Sequence, residues 1–258
     1  MQPVKTDALN QLRHQVAQIE ADAPRLPEAE LVLPLGIAPI DSMLGGGIAF
    51  GAVHEVAPAL PIHIGAAQGL AVALAALTRG CVLWVETDFT RMENGAPYGP
   101  GLALHGLGLD RLVTLVVPRA TDVLWVMEEA LRSRAVTIVI GDVPDDRTLD
   151  EGTATRRLSL TARETRGFGL LLRQRPSEAA SAAATRWQIS AAPGAQDQFG
   201  GIGRTTFALA LTKNRRGPCG RWLVTWDHHE RVFHPALSVG LAETARDRSA
   251  RAHLAQTG

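Results

Sequence analysis

Two β-prone runs in this chain are each followed by a carboxylate. Cys81 to Val85 is an apolar run followed by Glu86, and Ala135 to Ile140 is a β-branched run, as a buried parallel strand requires, with Asp142 just beyond it. In open α/β sheets ligands bind at the carboxyl ends of the strands, so both carboxylates are candidates for a site at one edge. The alternatives are that Glu86 is a solvated strand end and that Asp142 caps the next turn.

A second group of potential ligands lies nearer the C-terminus. Its members are Asp227, His228, His229, Glu230 and His234. These residue types bind zinc, but adjacent residues of a strand point to opposite faces and no H-E-x-x-H helix is present. The sequence therefore predicts no metal site.

Positive charge is concentrated in one turn of an otherwise neutral chain. The formal net charge is +0, which excludes a global attraction to nucleic acid or membrane. Lys213, Arg215, Arg216 and Arg221 nevertheless fall close together in a probable hairpin. We expect this basic turn to meet an acidic partner surface or DNA phosphates, with a solvated turn as the alternative.

The stretch from Leu33 to Val72 sets the organisation of the chain. Gly36 and Pro39 interrupt its periodicity, and Gly45-Gly46-Gly47 permits backbone torsions that are closed to other residues. Ala52 to Val56 then forms a short β-prone run. The pattern predicts a tight, glycine-rich approach to a buried strand.

This layout resembles the RecA family, in which a similar segment precedes the first core strand. The matching positions are Gly36, Ile40-Asp41, Leu44 to Gly47 and Gly51. The resemblance implies an α/β fold: a RecA-like core with a mostly parallel twisted sheet, an N-terminal helical arm and a C-terminal antiparallel hairpin. It also implies that Glu86, Asp142 and Gln174 stand near the positions of the water-activating glutamate, the Walker B aspartate and the nucleotide-sensing glutamine.

The phosphate-binding loop of that family is missing. Such a loop needs G-x-x-x-x-G-K-[ST], with a lysine on the phosphates and a hydroxyl on Mg²⁺. The nearest equivalent is the segment from Gly65 to Ala71, where Leu70 and Ala71 take the places of the lysine and the hydroxyl residue. We therefore expect no catalytic residue, no nucleotide or other cofactor, and no phosphoryl transfer.

The basic hairpin narrows the resemblance to one family. The segment LTKNRRGPCGRWLVTWD, residues 211–227, is similar to the ImuA family, the RecA-like subunit of bacterial damage-induced mutagenesis cassettes. The resemblance covers residues 31–237. It implies three partners: the polymerase-like protein ImuB, an error-prone polymerase III alpha-type subunit, and RecA. Other functions remain open, namely a DNA-dependent ATPase with an unorthodox nucleotide site or a division inhibitor of the SulA type.

The N-terminal segment predicts a separate helix. Leu9, Leu12, Val16 and Ile19 fall three and four residues apart on one stripe, and prolines end the pattern. RecA-type assembly suggests that this stripe binds a partner or a second copy, and packing on the chain's own core is the alternative. We expect residues 1–30 to be a helix and linker, 31–240 the core, and 241–258 a flexible tail.

The remaining composition suits the cytoplasm. Cys81 and Cys219 lie far apart, as in a reducing compartment, and the N-terminus lacks the apolar region of a secretory signal. The apolar run near Leu70 to Leu77 is too short to span a bilayer. We therefore expect a cytoplasmic protein without a membrane segment, able to self-associate and to touch DNA weakly.

Overall fold

The computed structural model describes residues 32–145, 150–194 and 203–236. Six α-helices and eleven strands fall within these ranges. The strands are β1 (Val32–Leu33), β2 (Ile48–Ala49), β3 (Ala52–Pro58), β4 (Cys81–Thr87), β5 (Leu112–Val117), β6 (Val136–Val143), β7 (Phe168–Arg173), β8 (Thr185–Ala192), β9 (Thr205–Asn214), β10 (Gly220–Asp227) and β11 (Val232–Pro235). The helices are α1 (Ala38–Met43), α2 (Ile64–Leu77), α3 (Asp88–Asn94), α4 (Gly99–Leu104), α5 (Ala120–Arg132) and α6 (Glu151–Thr165).

One nine-stranded sheet carries the core, in the order β11-β10-β9-β8-β3-β7-β6-β4-β5. Six strands that are adjacent in this order, β8, β3, β7, β6, β4 and β5, run parallel to one another. In the rest of the sheet, β9 pairs antiparallel with β8, β10 with β9, and β11 with β10. The predicted α/β fold with a mostly parallel sheet and a C-terminal antiparallel hairpin is thus confirmed and is consistent with a RecA-like core.

Helices cover both faces of the parallel part. Helix α2 packs on β3, β7 and β8, and α5 and α6 pack on the other face against β3, β4, β6 and β7. Close approach depends on Gly141 in β6, where a Cβ atom would lie 2.1 Å from the sulfur of Met127 in α5. The two faces bury separate apolar clusters.

The glycine-rich approach to β3 is held by Asp41. Its carboxylate accepts the backbone N–H groups of Leu35 at 2.8 Å and of Gly36 at 2.9 Å. Gly47 has φ 145°, and a Cβ there would lie 2.5 Å from the carbonyl oxygen of Leu33. The residues that carry the RecA resemblance therefore have a local structural reason, which is to turn the chain into β3.

Candidate functional site

The connection between β3 and α2 occupies the place of a phosphate-binding loop. It is the short segment Ala59–His63, which contains a 3₁₀ turn from Pro61 to His63. It offers no glycine, lysine, serine or threonine. A phosphate-binding loop needs glycines, a lysine, and either a serine or a threonine. This connection therefore cannot hold phosphates as that loop does.

The sequence-based placement of the degenerate loop was wrong. The segment from Gly65 to Ala71 lies inside helix α2, where Leu70 is 3 % and Ala71 0 % exposed. A Cβ at Gly69 would make an ordinary contact with the ring of Phe207 at 3.4 Å, and nothing lies within 4 Å of one at Gly65. The glycines of this helix signalled a loop in the sequence, but both lie within the helix.

Glu86 and Asp142 lie side by side at the edge of the sheet, and neither is a solvated strand end. They are register partners on the neighbouring parallel strands β4 and β6, and both are buried. The amide nitrogen of Gln174, just after β7, donates to Asp142 Oδ1 at 2.6 Å. Gln68 from α2 donates to Asp142 Oδ2 at 3.5 Å. Two neutral amides thus contact the carboxylate that a nucleotide-binding relative would turn toward a metal ion.

Burial dominates the electrostatics of this pair. It raises the pKa of Asp142 to about 7, with the nearby charge of Glu86 adding to the rise and the two glutamine amides opposing it. Burial also raises the pKa of Glu86. The charge of Arg91 at 4.0 Å and a weak interaction with the Trp84 indole lower this pKa, but by less than burial raises it. Because of this raised pKa, a cation would have to compete with a proton for the Asp142 carboxylate near neutral pH.

A second amide contact closes this edge of the sheet. Asn94, at the end of α3, donates to the side-chain oxygen of Gln174 at 2.7 Å. Helix α3 begins directly after β4, with its N-terminus capped by Thr87, and so crosses the sheet edge from β4 to β7. Gln68 and Asn94 also line a cleft of about 310 Å³ between α2 and the α3–α4 segment. Asp142 and Gln174 are thus hydrogen-bonded within the protein, whereas the buried Oε1 of Glu86 accepts no hydrogen bond from the described residues and lies 4.0 Å from Arg91.

A buried ion cluster that sequence analysis missed lies around Glu55 in the middle of β3. Arg186 Nε donates to Glu55 at 2.7 Å and Arg173 at 3.2 Å, and Ser181 donates at 2.8 Å. Burial alone would raise the pKa of Glu55, but the two arginines and Ser181 outweigh it and hold that pKa below its usual value. The signal in the sequence is the adjacent pair His54 and Glu55 within an otherwise apolar strand.

This cluster fastens the segment between β7 and β8, residues 174–184, to the core. Arg173 also pairs with Glu151 at 2.7 Å, and Ser177 donates to Glu151 at 3.0 Å. Ala182 N–H donates to Thr155 of α6 at 3.0 Å. In the RecA family this position carries a DNA-binding loop. Here the segment is short and held to the core at several points.

The predicted basic turn is divided by the structure. Lys213 donates to the carbonyl oxygen of Ser181, and Arg215 approaches the same oxygen at 3.5 Å. Arg215, Arg216 and Arg221 are all exposed. Lys213 thus helps to fasten the segment between β7 and β8, Arg215 makes only a long contact with it, and all three arginines remain open to a partner.

The carboxylates and histidines near the C-terminus are closer together than strand alternation predicts. Donor atoms of Asp227, Glu230 and His234 lie within 4.8 Å of one another, because Glu230 sits in the turn between β10 and β11. Asp227, however, accepts the backbone N–H groups of His229 and Glu230 and pairs with Arg204 at 2.7 Å. The aspartate serves as a turn cap with its own arginine, and a cation would have to displace that arginine.

The predicted N-terminal stripe of Leu9, Leu12, Val16 and Ile19 lies outside the described residues. Within the described part of the chain, no helix combines the length and apolar character needed to cross a membrane.

The fold and this site together define a class: a RecA-like α/β core whose connection between β3 and α2 is not a phosphate-binding loop. No protein-family model matches the chain. It is 29% identical over 222 residues to proteins named "Protein ImuA" from two strains of Caulobacter vibrioides, covering 79% of this chain and 87% of each relative. This similarity supports membership of the ImuA family, and the resemblance seen in the sequence is confirmed.

Proposed function

We propose that this protein is a non-catalytic accessory protein of the damage-induced mutagenesis system. It acts in the cytoplasm through contacts with ImuB, an error-prone polymerase III alpha-type subunit and RecA during translesion synthesis. The similarity to relatives named "Protein ImuA" supports a role in the damage-induced mutagenesis system.

This proposal rests on the composition of the segment Ala59–His63. It joins β3 to α2 without the glycines, the lysine or the hydroxyl residue that phosphate and Mg²⁺ require. The neighbouring Asp142 is buried beneath two glutamine amides and has a raised pKa, which also disfavours a metal ion. A nucleotide would therefore meet neither a cation nor a metal at its phosphates.

The rival enzyme hypothesis is a DNA-dependent ATPase with an unorthodox site, and the same segment opposes it. Division inhibitors of the SulA type also lack a phosphate loop but are shorter chains. The ImuA-like segment of residues 211–227 favours the mutagenesis hypothesis. A Y-family-like polymerase gene beside this one would favour it further.

Isothermal titration with Mg-ATP, and phosphate release with and without single-stranded DNA, test the proposal. A RecA protein measured in parallel is the positive control. We expect no saturable heat and no turnover above the buffer rate. Micromolar binding, or phosphate release that DNA stimulates, would overturn the non-catalytic role.

Pull-down of purified ImuB, polymerase subunit and RecA by this protein tests the partner set. At least one of the three should be retained after a high-salt wash. If none is retained while the protein remains folded, the accessory role through these contacts is wrong.

A further inference from the structure

The two edges of the nine-stranded sheet differ in how they are protected. The edge strand β11 has four residues and ends in Pro235. The opposite edge, β5, has the six-residue sequence LVTLVV, without a charge or a proline. Natural proteins shorten edge strands, or place prolines and charges on them, because an open edge pairs with other strands. Strand β5 has none of these protections.

The middle of β5 is exposed on both sides. Val113 is 52% and Leu115 40% exposed, and Thr114 between them is exposed as well. Val113 and Leu115 are register partners of Leu83 and Val85 in β4, so they share the face on which α5 packs. Val85 is fully buried there. Helix α5 also contacts β5, where Val117 packs against the apolar cluster of this face, but Val113 and Leu115 remain largely exposed.

We propose that β5 pairs antiparallel with β5 of a second copy of this chain, joining the two sheets edge to edge. The two-fold axis lies perpendicular to the sheet and passes beside Thr114. Thr114 then faces its own counterpart, and Val113 faces Leu115 of the second copy. This inference does not depend on the proposed function.

Side-chain alternation restricts the register. With the axis perpendicular to the sheet, both copies keep the same face upward, so opposite residues must belong to the same face. Centring the pair on Thr114 meets this condition and sets the two exposed apolar side chains against each other. A shift by one residue would place the residues of one face opposite those of the other.

Charge and residue type make the strand complementary to itself. Antiparallel pairing of LVTLVV brings no like charges opposite each other, and it forms a Thr–Thr pair flanked by aliphatic pairs. A two-fold interface must be self-complementary in this sense, because each patch meets an identical patch. The second copy is therefore the occupant that this edge fits.

Sedimentation velocity over a concentration series tests the proposal. We expect a monomer–dimer equilibrium that Leu115→Lys weakens by at least about tenfold, because a lysine on each copy lies beside the apolar partner strand. Leu160→Lys is the matched control, since Leu160 is a 53% exposed leucine on α6. A monomer at every concentration, or a dimer that Leu115→Lys leaves unchanged, would overturn the proposal.

Disulfide trapping tests the register and does not depend on the lysine variant. In a Cys219→Ser background, Thr114→Cys should give a reducible dimer, because directly opposite Cβ atoms lie about 4.5–5.5 Å apart. Val113→Cys should cross-link much more slowly, since its counterpart lies two positions along the strand. Faster cross-linking of Val113→Cys, or no cross-linking of Thr114→Cys under oxidising conditions, would rule this pairing out.

Discussion

At the scale of single residues, Asp142 makes the stability of the fold depend on pH. The unfolded chain ionises this carboxyl near the ordinary aspartate pKa of 3.8, whereas the folded protein holds the proton until about pH 7. The contribution of this carboxyl to the free energy of unfolding is therefore fully present below pH 3.8, and it is lost as the pH rises from 3.8 to about 7.

The substitution Asp142→Asn removes this loss. We expect the variant and the parent to have similar free energies of unfolding near pH 4, and the variant to be more stable by up to about 4 kcal/mol at pH 8. Urea unfolding at several pH values measures the difference. Glu164→Gln, which changes an exposed carboxylate of α6, is the control and should have little effect. A variant that is less stable than the parent at pH 8 would mean that the ionised Asp142 is well accommodated.

The sequence predicted the residues of this edge because strand-end carboxylates follow recognisable runs. It did not predict what contacts them. Gln68 and Asn94 reach Asp142 and Gln174 from helices that are distant in the chain, and only the packing of α2 and α3 brings them there. Glu55 was missed for the same reason, since its arginines lie 118 and 131 residues away.

At the scale of elements, the sequence predicted the core strands well, because buried parallel strands are continuous apolar runs. It failed at the start of α2. Gly65 and Gly69 are typical loop residues when the sequence is considered alone, but burial of an alanine-rich helix outweighs their poor helix propensity. Packing against β3, β7 and β8 decided where that helix begins.

The segment between β7 and β8 depends on Glu55. Replacing Glu55 with glutamine leaves Arg173 and Arg186 buried without their shared carboxylate. Breaking a buried pair from one side costs about 3–5 kcal/mol. We expect a loss of that size in urea unfolding, together with faster hydrogen exchange of the Ala182 amide, which donates to Thr155.

Glu178→Gln is the matched control for this prediction, because Glu178 is an exposed glutamate of the same segment. It should change neither stability nor exchange. If Glu55→Gln leaves the exchange of Ala182 unchanged, α6 alone holds the segment and the ion cluster does not.

At the scale of the whole molecule, the basic turn is the first of two surfaces for a partner. We expect Arg216→Glu combined with Arg221→Glu to weaken retention of single-stranded DNA or of ImuB without lowering Tm, because both side chains are exposed. If both contact DNA phosphates, the slope of log K against log salt should fall by about 1.4 in magnitude. Arg163→Glu on α6 is the control. Unchanged retention of both ligands would show that the turn is only solvated.

The N-terminal stripe is the second surface, and its prediction rests on the sequence. Leu9, Leu12, Val16 and Ile19 must be covered by something, since each such side chain contributes about 1.5–3 kcal/mol when fully buried. The sequence predicts that the proline-containing segment before β1, residues 24–31, is an extended linker that can carry a helix away from its own core. A RecA-like surface without a nucleotide site could then end a RecA filament where it meets a stalled polymerase.

The double substitution Leu12→Asp and Val16→Asp tests whether this stripe is a docking arm. A helix that binds a partner leaves its own core intact when its apolar stripe is lost, so we expect an unchanged Tm and a loss of RecA binding or of self-association. Leu115→Lys separates the two routes to self-association, because it changes the β5 edge and leaves the arm intact. Differential scanning fluorimetry and RecA pull-down on the same preparations provide both readouts. A variant that melts several degrees lower while it still binds its partners would place the stripe in the protein's own core, and the arm hypothesis would then be wrong.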